Sequence, residues 1–275
     1  MPKFYLPADL HIHTIASGHA YSTLEEICRA AATKELEMIA VTDHGPAMPG
    51  GAHMYHFGNL WVLPEYIEGV RVLHGIEANV LNLEGEIDLP PNYLRKMDLV
   101  WASLHPPCID PGDWEENTRA LLSALDNPYV DGIAHPCNPD YPVDAAAVLR
   151  KAREENKLVE INNSSLFVRP GSREYSEEIA YLAKEEENLL VVNSDAHFAG
   201  AVGELDFAME ILDEAGVKKE QIINADTERV MQFVERRRMA KKAQNNKRFP
   251  HEHNSDKDNR EAGSSRKNKQ EAKNR

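Results

Sequence analysis

The stretch Asp9-Leu10-His11-Ile12-His13-Thr14 closes a short apolar run that begins at Phe4. Side chains alternate between the two faces of a strand, so His11 and His13 are expected on the same side, about 7 Å apart. Two imidazoles at that spacing can bind a single metal ion. A lone His-x-His pair is a weak motif, because two surface histidines give the same pattern. The prediction of a metal site therefore depends on what the rest of the chain places beside this pair.

Apolar, β-branched runs recur along the chain at regular distances. Seven predicted strands cover residues 4–10, 37–42, 70–76, 98–104, 130–134, 158–162 and 189–193. Helical patterns occupy residues 23–32, 115–126, 144–156, 174–187, 204–215 and 226–235. Strands that alternate with helices build a largely parallel sheet. Seven such units without a division into two halves favour an α/β fold, a closed or distorted (β/α)7 TIM-like barrel.

Candidate metal ligands lie at or just past the ends of most of these strands. The C-terminal ends of barrel strands converge on one rim, so residues distant in sequence become neighbours there. The candidates are His11, His13, His19, His44, Glu77, His105, His135, Asp195 and His197. Imidazoles and carboxylates without thiolates favour Zn, Mn, Fe or Ni over Ca and Mg. Because the set exceeds what one ion can take, a polynuclear centre is predicted, in which Glu77 is suited to bridge two ions.

Closely spaced ions stabilise both the attacking and the leaving oxygen of an in-line displacement. Hydrolysis by a metal-bound hydroxide is therefore the predicted reaction. No Ser or Cys is placed as an activated nucleophile, so we expect no covalent enzyme intermediate and no catalytic residue beyond the metal ligands. No residue is assigned to an organic cofactor.

The chain resembles the polymerase-and-histidinol-phosphatase (PHP) superfamily, and within it the bacterial PHP-domain phosphatases with a trinuclear centre. The resemblance spans about residues 4–235 and is carried by the segments DLHIHT, ASGHAYST, VTDHGP, HGIEANV, GEIDLP, SLHPP, AHPCNPDYP, EINNSS and NSDAH. It implies a distorted seven-stranded barrel and three divalent ions, with zinc expected first and manganese or iron as alternatives. It implies a first metal held by His11, His13, Glu77 and Asp195, a second held by His19, His44 and His197, and a third held by Glu77, His105 and His135.

Several polar residues near the ligands are candidates for supporting roles. Asp9 and Asp43 each precede a ligand, where a carboxylate can orient an imidazole or cap a strand end. The segment 162–165 follows a strand that offers no ligand, and is expected to hydrogen-bond substrate. Arg169 and Arg173 are candidates for binding phosphate, with surface charge as the alternative. The long segment 45–68 is expected to cover the site.

The leading functional prediction is a metal-dependent phosphatase acting on small phosphomonoesters. The alternatives are a PHP-type phosphodiesterase or exonuclease, a histidinol-phosphate phosphatase, a metal amidohydrolase, and a non-catalytic metal-storage or interaction protein. The amidohydrolase is disfavoured because that class typically carries a bridging lysine where this chain has residues 101–105.

Charge divides the chain into an acidic body and a basic tail. Residues 1–235 carry a net charge of −23 and residues 236–275 one of +9. We expect a phosphatase domain over residues 1–238 and a basic, disordered tail over residues 239–275. The acidic body disfavours nucleic acid, so the tail is the segment suited to bind it or anionic lipid. Truncation after Arg238 is expected to leave kcat within about twofold.

The remaining composition indicates an ordinary globular protein. The chain has no apolar run of 18 residues and no signal-peptide pattern, so neither a membrane span nor export is expected. The three scattered cysteines suggest reduced thiols, and with them a cytoplasmic protein. A small phosphorylated molecule is the expected partner, and a homo-oligomer is compatible with the sequence.

Overall fold

A computed structural model describes residues 4–248 of the chain, and the side chains of residues 4–244. The first half contains β1 (Ala8–Ile12), α1 (Leu24–Thr33), β2 (Met38–Val41), α2 (Met54–Asn59), β3 (Tyr66–Ile67), β4 (Val70–Asn79), α3 (Pro91–Leu94), β5 (Leu99–Ser103) and α4 (Trp114–Asp126). The second half contains β6 (Gly132–Ile133), α5 (Ala145–Glu154), β7 (Leu158–Asn162), α6 (Ser165–Val168), α7 (Ser172–Glu185), β8 (Leu190–Asn193), α8 (Asp206–Ala215) and α9 (Thr227–Arg248).

Seven strands form one parallel sheet in the order β1-β2-β4-β5-β6-β7-β8 within the described residues. The short strand β3 adds an antiparallel edge to β4. The sheet curls into a nearly closed barrel with helices around it, which confirms the predicted distorted (β/α)7 fold. The largest differences from the predicted strand boundaries are that β1 begins at Ala8 rather than Phe4 and that β4 continues to Asn79; the other strand ends lie within two residues of prediction.

The barrel closes between β1 and β8 without a regular ladder. The strands meet at an isolated bridge between Ile12 and Ala196. Side-chain amides supply the other links: Asn193 Oδ1 accepts from Leu10 N at 2.8 Å, and Asn224 Nδ2 donates to Ala8 O at 2.8 Å. These amides satisfy backbone groups that a buried seam would otherwise leave unpaired. The seam is therefore where the barrel departs from regular closure.

Local sequence signals fix the helices that surround the sheet. Thr23 caps α1 and forms a capping box with Glu26, while Asp113 and Glu116 do the same for α4. Each box satisfies backbone N–H groups that have no partner within the helix, which typically stabilises a helix by about 1 kcal/mol. The helices α1 and α4 thus begin within one residue of their predicted starts, whereas the short helices α2, α3 and α6 were not predicted.

The barrel interior is apolar below the rim and is plugged from the opposite end by α9. Leu10, Leu73 and Trp101 pack there with Phe233 and Val234 of α9. The Trp101 indole is fully buried and donates a hydrogen bond to Leu10 O at 2.8 Å. Burying each such side chain contributes roughly 1.5–3 kcal/mol to folding. The helix forms a floor beneath the rim.

Ion pairs tie α9 to the barrel floor. Asp131 accepts hydrogen bonds from Arg237 Nε at 2.7 Å and from Lys241 Nζ, and its other contact is Val100 N at 2.9 Å. Arg238 binds Asp98 at 2.6 Å. Lys241 is fully buried, so the helix continues past residue 238, where the tail was expected to begin. Most of that expected tail, residues 249–275, lies outside the described residues.

The long segment after β2 carries its own structure. It contains α2, a short 3-10 turn and β3, where the sequence suggested an irregular covering loop. Phe57 of α2 is buried against the core, whereas Trp61 is exposed. Over residues 4–248, no helix combines the length and the apolar composition needed to cross a bilayer.

Candidate metal centre

Glu77 lies at the centre of a cluster of histidines on the carboxyl rim of the barrel. It lies near the carboxyl end of β4, two residues before Asn79, and is completely buried. Five imidazoles approach its two carboxylate oxygens, at 2.7–3.4 Å, from His11, His13, His44, His105 and His135. Histidines from the ends of four strands, β1, β2, β5 and β6, therefore converge on one carboxylate of β4, as expected for this rim.

Asp195 organises the other side of the cluster. Its Oδ1 atom lies 3.2 Å from His13 Nε2 and 3.6 Å from both His11 Nε2 and His197 Nδ1. His19 completes the set at the mouth, with its Nε2 atom 3.1 Å from His197 Nε2. All nine predicted candidates thus lie in one contiguous cluster.

Three subsets have ligand atoms close enough to hold an ion. These are His11, His13 and Asp195; His13, His44 and His197; and His44, Glu77 and His105. Each subset shares two or three residues with one of the groups implied by the family resemblance. The second and third subsets each differ from the implied group at one position. His13 takes the place of His19 beside His44 and His197, and His44 takes the place of His135 beside Glu77 and His105.

Buried polar atoms in the cluster require a positive charge. His11 Nδ1 faces the acceptor Glu160 Oε1 at 2.8 Å, so the proton of a neutral ring resides on Nδ1. The His11 Nε2 lone pair then points at Glu77 and Asp195. Neither this nitrogen nor Glu77 Oε2 has a hydrogen-bond partner among the described residues. Facing lone pairs are costly in a buried site unless a cation lies between them, so these residues fit a metal.

His105 repeats the arrangement on the opposite side of Glu77. Its Nδ1 atom lies 2.7 Å from Asn79 Oδ1, and Asn79 Nδ2 donates to Asp88 at 2.6 Å. Because that amide is oriented by Asp88, its oxygen must face His105. The His105 Nε2 lone pair is consequently directed at Glu77, 3.3 Å away. Such outer partners fix the tautomer of metal-binding histidines.

Burial lowers the pKa of His11 and His44, but Glu160 and Glu77 outweigh it at His11, and Glu77 at His44, so that both pKa values are raised. A divalent ion bound between these groups would take the place of the protons, because metal binding to histidine releases them.

Other groups of the cluster already have the protonation state that binds metal. Burial raises the pKa of the Glu77 carboxyl, but His105, His44 and His11 outweigh it and hold the pKa well below its usual range. Burial, then Arg169, lowers the pKa of His135 to about 4. Burial with neighbouring imidazoles also holds the pKa of His13 well below its ordinary value. An ionised carboxylate and neutral imidazoles are the forms that bind divalent ions.

The two predicted supporting aspartates have different partners. Asp43 accepts from Ser17 Oγ at 2.7 Å, and Ser17 in turn contacts His13 Nδ1 at 3.0 Å. Asp43 therefore acts on a ligand through a serine. Asp9 makes no such contact and instead binds Ser194, which precedes Asp195. Asp9 thus positions the loop rather than an imidazole.

The polar segment after β7 is mostly structural. Asn162 Nδ2 donates to Asp195 Oδ2 at 3.2 Å, and Asn163 Oδ1 caps the start of α8. Ser164 lines the cavity, but its hydroxyl donates to Ser194 O at 2.6 Å. Of the segment 162–165, Ser164 alone lines the cavity, and its contact with substrate stays a prediction.

Some functional residues escape the sequence pattern. Glu160 lies within an apolar strand, where only its inward parity with Asn162 hints at a role. The Nε2 atom of His56, in α2, lies 3.2 Å from Asp43 Oδ2. His135 and Asp195 have left-handed backbones, with φ of 31° and 54°. Uncommon conformations of this kind concentrate at functional sites, where they aim side chains.

A cavity of about 730 Å³ opens above the histidines. Arg169 lines it, with Nη1 2.9 Å from Ser165 Oγ and 3.5 Å from Asp195 Oδ2. Arg173 lies elsewhere, paired with glutamates of α7 and α8 on the surface. Of the two arginines considered for phosphate, only Arg169 faces the site.

Residues 9–240 match the family model described as the PHP domain. The chain belongs to this family. A protein named "probable phosphatase" from Caldanaerobacter subterraneus subsp. tengcongensis is 49% identical over 238 residues, which cover 86% of this chain and 94% of the relative. A second "probable phosphatase", from Acetivibrio thermocellus, is 45% identical over 84% of this chain and 95% of its own length. These relatives support a phosphatase of the PHP family.

A solved structure shares the fold. Histidinol phosphate phosphatase from Lactococcus lactis, crystallised with Zn, L-histidinol and phosphate, is 19% identical to this PHP chain. It superposes with a TM-score of 0.59 and covers 77% of this chain and 94% of its own. At this identity, the likeness supports the architecture rather than a substrate.

Proposed function

We propose that this chain is a metal-dependent phosphatase that hydrolyses small phosphomonoesters at a trinuclear centre. The supporting observation is Glu77, one buried carboxylate approached by five imidazoles, of which His11, His13 and His44 direct nitrogens without a hydrogen-bond partner at it. The nine clustered residues would hold the ions, with zinc the first metal to test and manganese or iron the alternatives. Divalent ions bound there supply charge neutralisation and lower the pKa of water toward ~7.

The remaining residues have positioning roles in this proposal. Arg169 faces the cavity with donors suited to a phosphate oxygen. Glu160 and Asn79 hold the His11 and His105 rings in fixed orientations. The Ser164 hydroxyl, committed to a backbone carbonyl, has no base to activate it. Direct attack by water is therefore favoured over a covalent phosphoserine.

Metal-reconstituted protein tested on p-nitrophenyl phosphate and bis(p-nitrophenyl) phosphate examines the reaction class. We expect the monoester to be turned over in preference to the diester, and activity to disappear on chelation. Preference for the diester would favour the phosphodiesterase alternative.

A matched pair of variants tests the role of Arg169. Arg169→Met is expected to raise KM for the monoester by about tenfold, because a charge-assisted hydrogen bond contributes roughly 1.5–3 kcal/mol. Arg173→Met removes an arginine engaged with surface glutamates and is expected to leave KM unchanged. Equal effects of the two substitutions would contradict the assignment.

A further inference from the structure

The wall of the cavity above the metal cluster is apolar. Its lining outside the candidate ligands includes Met48, Pro49, Pro106, Pro107, Val168 and Phe198. These residues come from loops that follow four different strands, so the apolar wall surrounds the mouth instead of occupying one side. A volume of about 730 Å³ is that of a site for a small molecule.

Charge is nearly absent from this wall. Among the described lining residues outside the candidate ligands, Arg169 is the single charged side chain, and Ser164 supplies the one hydroxyl. Arg169 already lies beside Asp195 and is suited to the phosphate. No carboxylate in that lining is free of the metal cluster, so a cationic group on the substrate would find no counter-charge there.

Phe198 gives the wall a flat aromatic face. Its ring is 60% exposed, although large apolar side chains normally avoid water. The ring lies close to the backbone of Gly200, where a Cβ would come within 2.9 Å of it. Val168, 64% exposed, contributes a second apolar surface at the same mouth. An exposed apolar rim around a polar centre is typical of a ligand site.

We propose that the leaving group of the substrate is an uncharged, apolar alcohol, preferably aromatic, and not an amino alcohol. This inference rests on the proposed phosphatase function. Phosphate would face Arg169 and the histidines, while the rest of the ester lies against Phe198, Val168 and the prolines. A leaving group with an ammonium would be desolvated there without a partner, which is unfavourable.

The test compares two non-hydrolysable ligands that differ by one cation. Metal-reconstituted protein is titrated calorimetrically with benzylphosphonate and with 4-(aminomethyl)benzylphosphonate. We expect Kd to be about tenfold lower for the uncharged ligand, the discrimination typical of an apolar pocket. Equal or tighter binding of the ammonium ligand would overturn the inference.

Two matched variants test whether the preference for the uncharged ligand arises from the apolar cavity wall. Val168→Asp places a carboxylate in the wall and is expected to narrow the ratio of the two Kd values by about threefold. Val62→Asp is the control, because Val62 is similarly exposed, at 52%, but does not line this cavity. An unchanged ratio in Val168→Asp would also contradict the proposal.

Turnover of benzyl phosphate, measured separately, distinguishes the phosphatase function from the preference of the pocket for an uncharged leaving group. Binding with the expected preference but no hydrolysis would refute the phosphatase function and leave the pocket chemistry standing. Hydrolysis of both benzyl phosphate and its aminomethyl derivative with equal kcat/KM would refute the pocket chemistry alone.

Discussion

The two ends of this barrel bury charged groups by opposite means. On the rim, Glu77 meets five imidazoles, and its Oε2 atom has no hydrogen-bond partner in the described part of the chain. On the floor, Asp131 is equally buried, yet each oxygen is bonded by Arg237, Lys241 or Val100. Unsatisfied groups indicate a site that binds a ligand, whereas satisfied ones indicate a structural lock. Variants at the rim should alter metal binding, and variants at the floor should alter stability.

The largest effect is expected from Glu77→Gln. Residues that merely orient metal ligands cost 10–100-fold when replaced, so a central ligand should cost about 100-fold or more in activity. Metal content measured by mass spectrometry should fall, while circular dichroism shows that the fold survives. Glu86→Gln is the control, since Glu86 pairs with Asn82 outside the cluster. Full metal occupancy in Glu77→Gln would contradict the bridging role.

Truncation after Arg238 tests the floor. It removes Lys241 from Asp131 and should lower the free energy of unfolding by about 2–3 kcal/mol, less than a fully broken buried pair because Arg237 remains. The kcat value should stay within about twofold, since no candidate ligand is lost. Truncation after Arg248 is the control. Chemical denaturation giving the same stability for both truncations would show that Lys241 does not lock the floor.

Glu160→Gln is expected to give an intermediate effect at the rim. The variant weakens the charge that orients His11, so metal affinity should fall by about 10–100-fold. Competition with a chelator measures that affinity. Glu154→Gln, at an exposed position on α5, should leave it unchanged. An unaltered affinity in Glu160→Gln would remove this residue from the site.

The smallest expected effect is the pH dependence due to Lys157. Burial, then Arg237, lowers the pKa of Lys157 to about 7, and its Nζ donates to Asn127 O at 2.7 Å. An unfolded lysine has a pKa near ~10.4, so above pH ~7 the unfolded chain binds more protons and stability rises with pH.

The corresponding gain is about 1 kcal/mol between pH 7 and 8. Denaturation of Lys157→Met should show a flatter dependence than the wild type, with Lys242→Met as an exposed control. Identical slopes in the wild type and Lys157→Met would exclude Lys157 as the source.

The barrel and most residues of its rim could be predicted from the sequence. Strands that end in His or carboxylate residues indicated both the barrel and the rim, because strand ends in a parallel barrel must converge. Glu160 was missed since one acid within an apolar run resembles ordinary strand sequence. Only contact with His11 reveals its role.

The floor was harder to predict. Lys241 lies in a stretch with few large apolar residues, which resembles a solvated tail. Its burial depends on Asp131, a residue 110 positions earlier. The average composition of a segment does not reveal that one of its residues forms an ion pair with a residue far away in the sequence. The left-handed backbones of His135 and Asp195 were not predicted either, because neither residue is a glycine, the residue type that signals such a conformation in a sequence.

The amide-linked seam has a consequence for synthesis on the ribosome. Leu10 and Ala8 are held by Asn193 and Asn224, which follow them by 183 and 216 residues. The first strand thus emerges long before the side chains that close it, and Asp131 precedes Lys241 in the same way. A nascent chain can pair its early strands in order, but closure waits until nearly the whole domain has been translated. Closure of the barrel therefore requires that the chain has been made at least as far as Asn224.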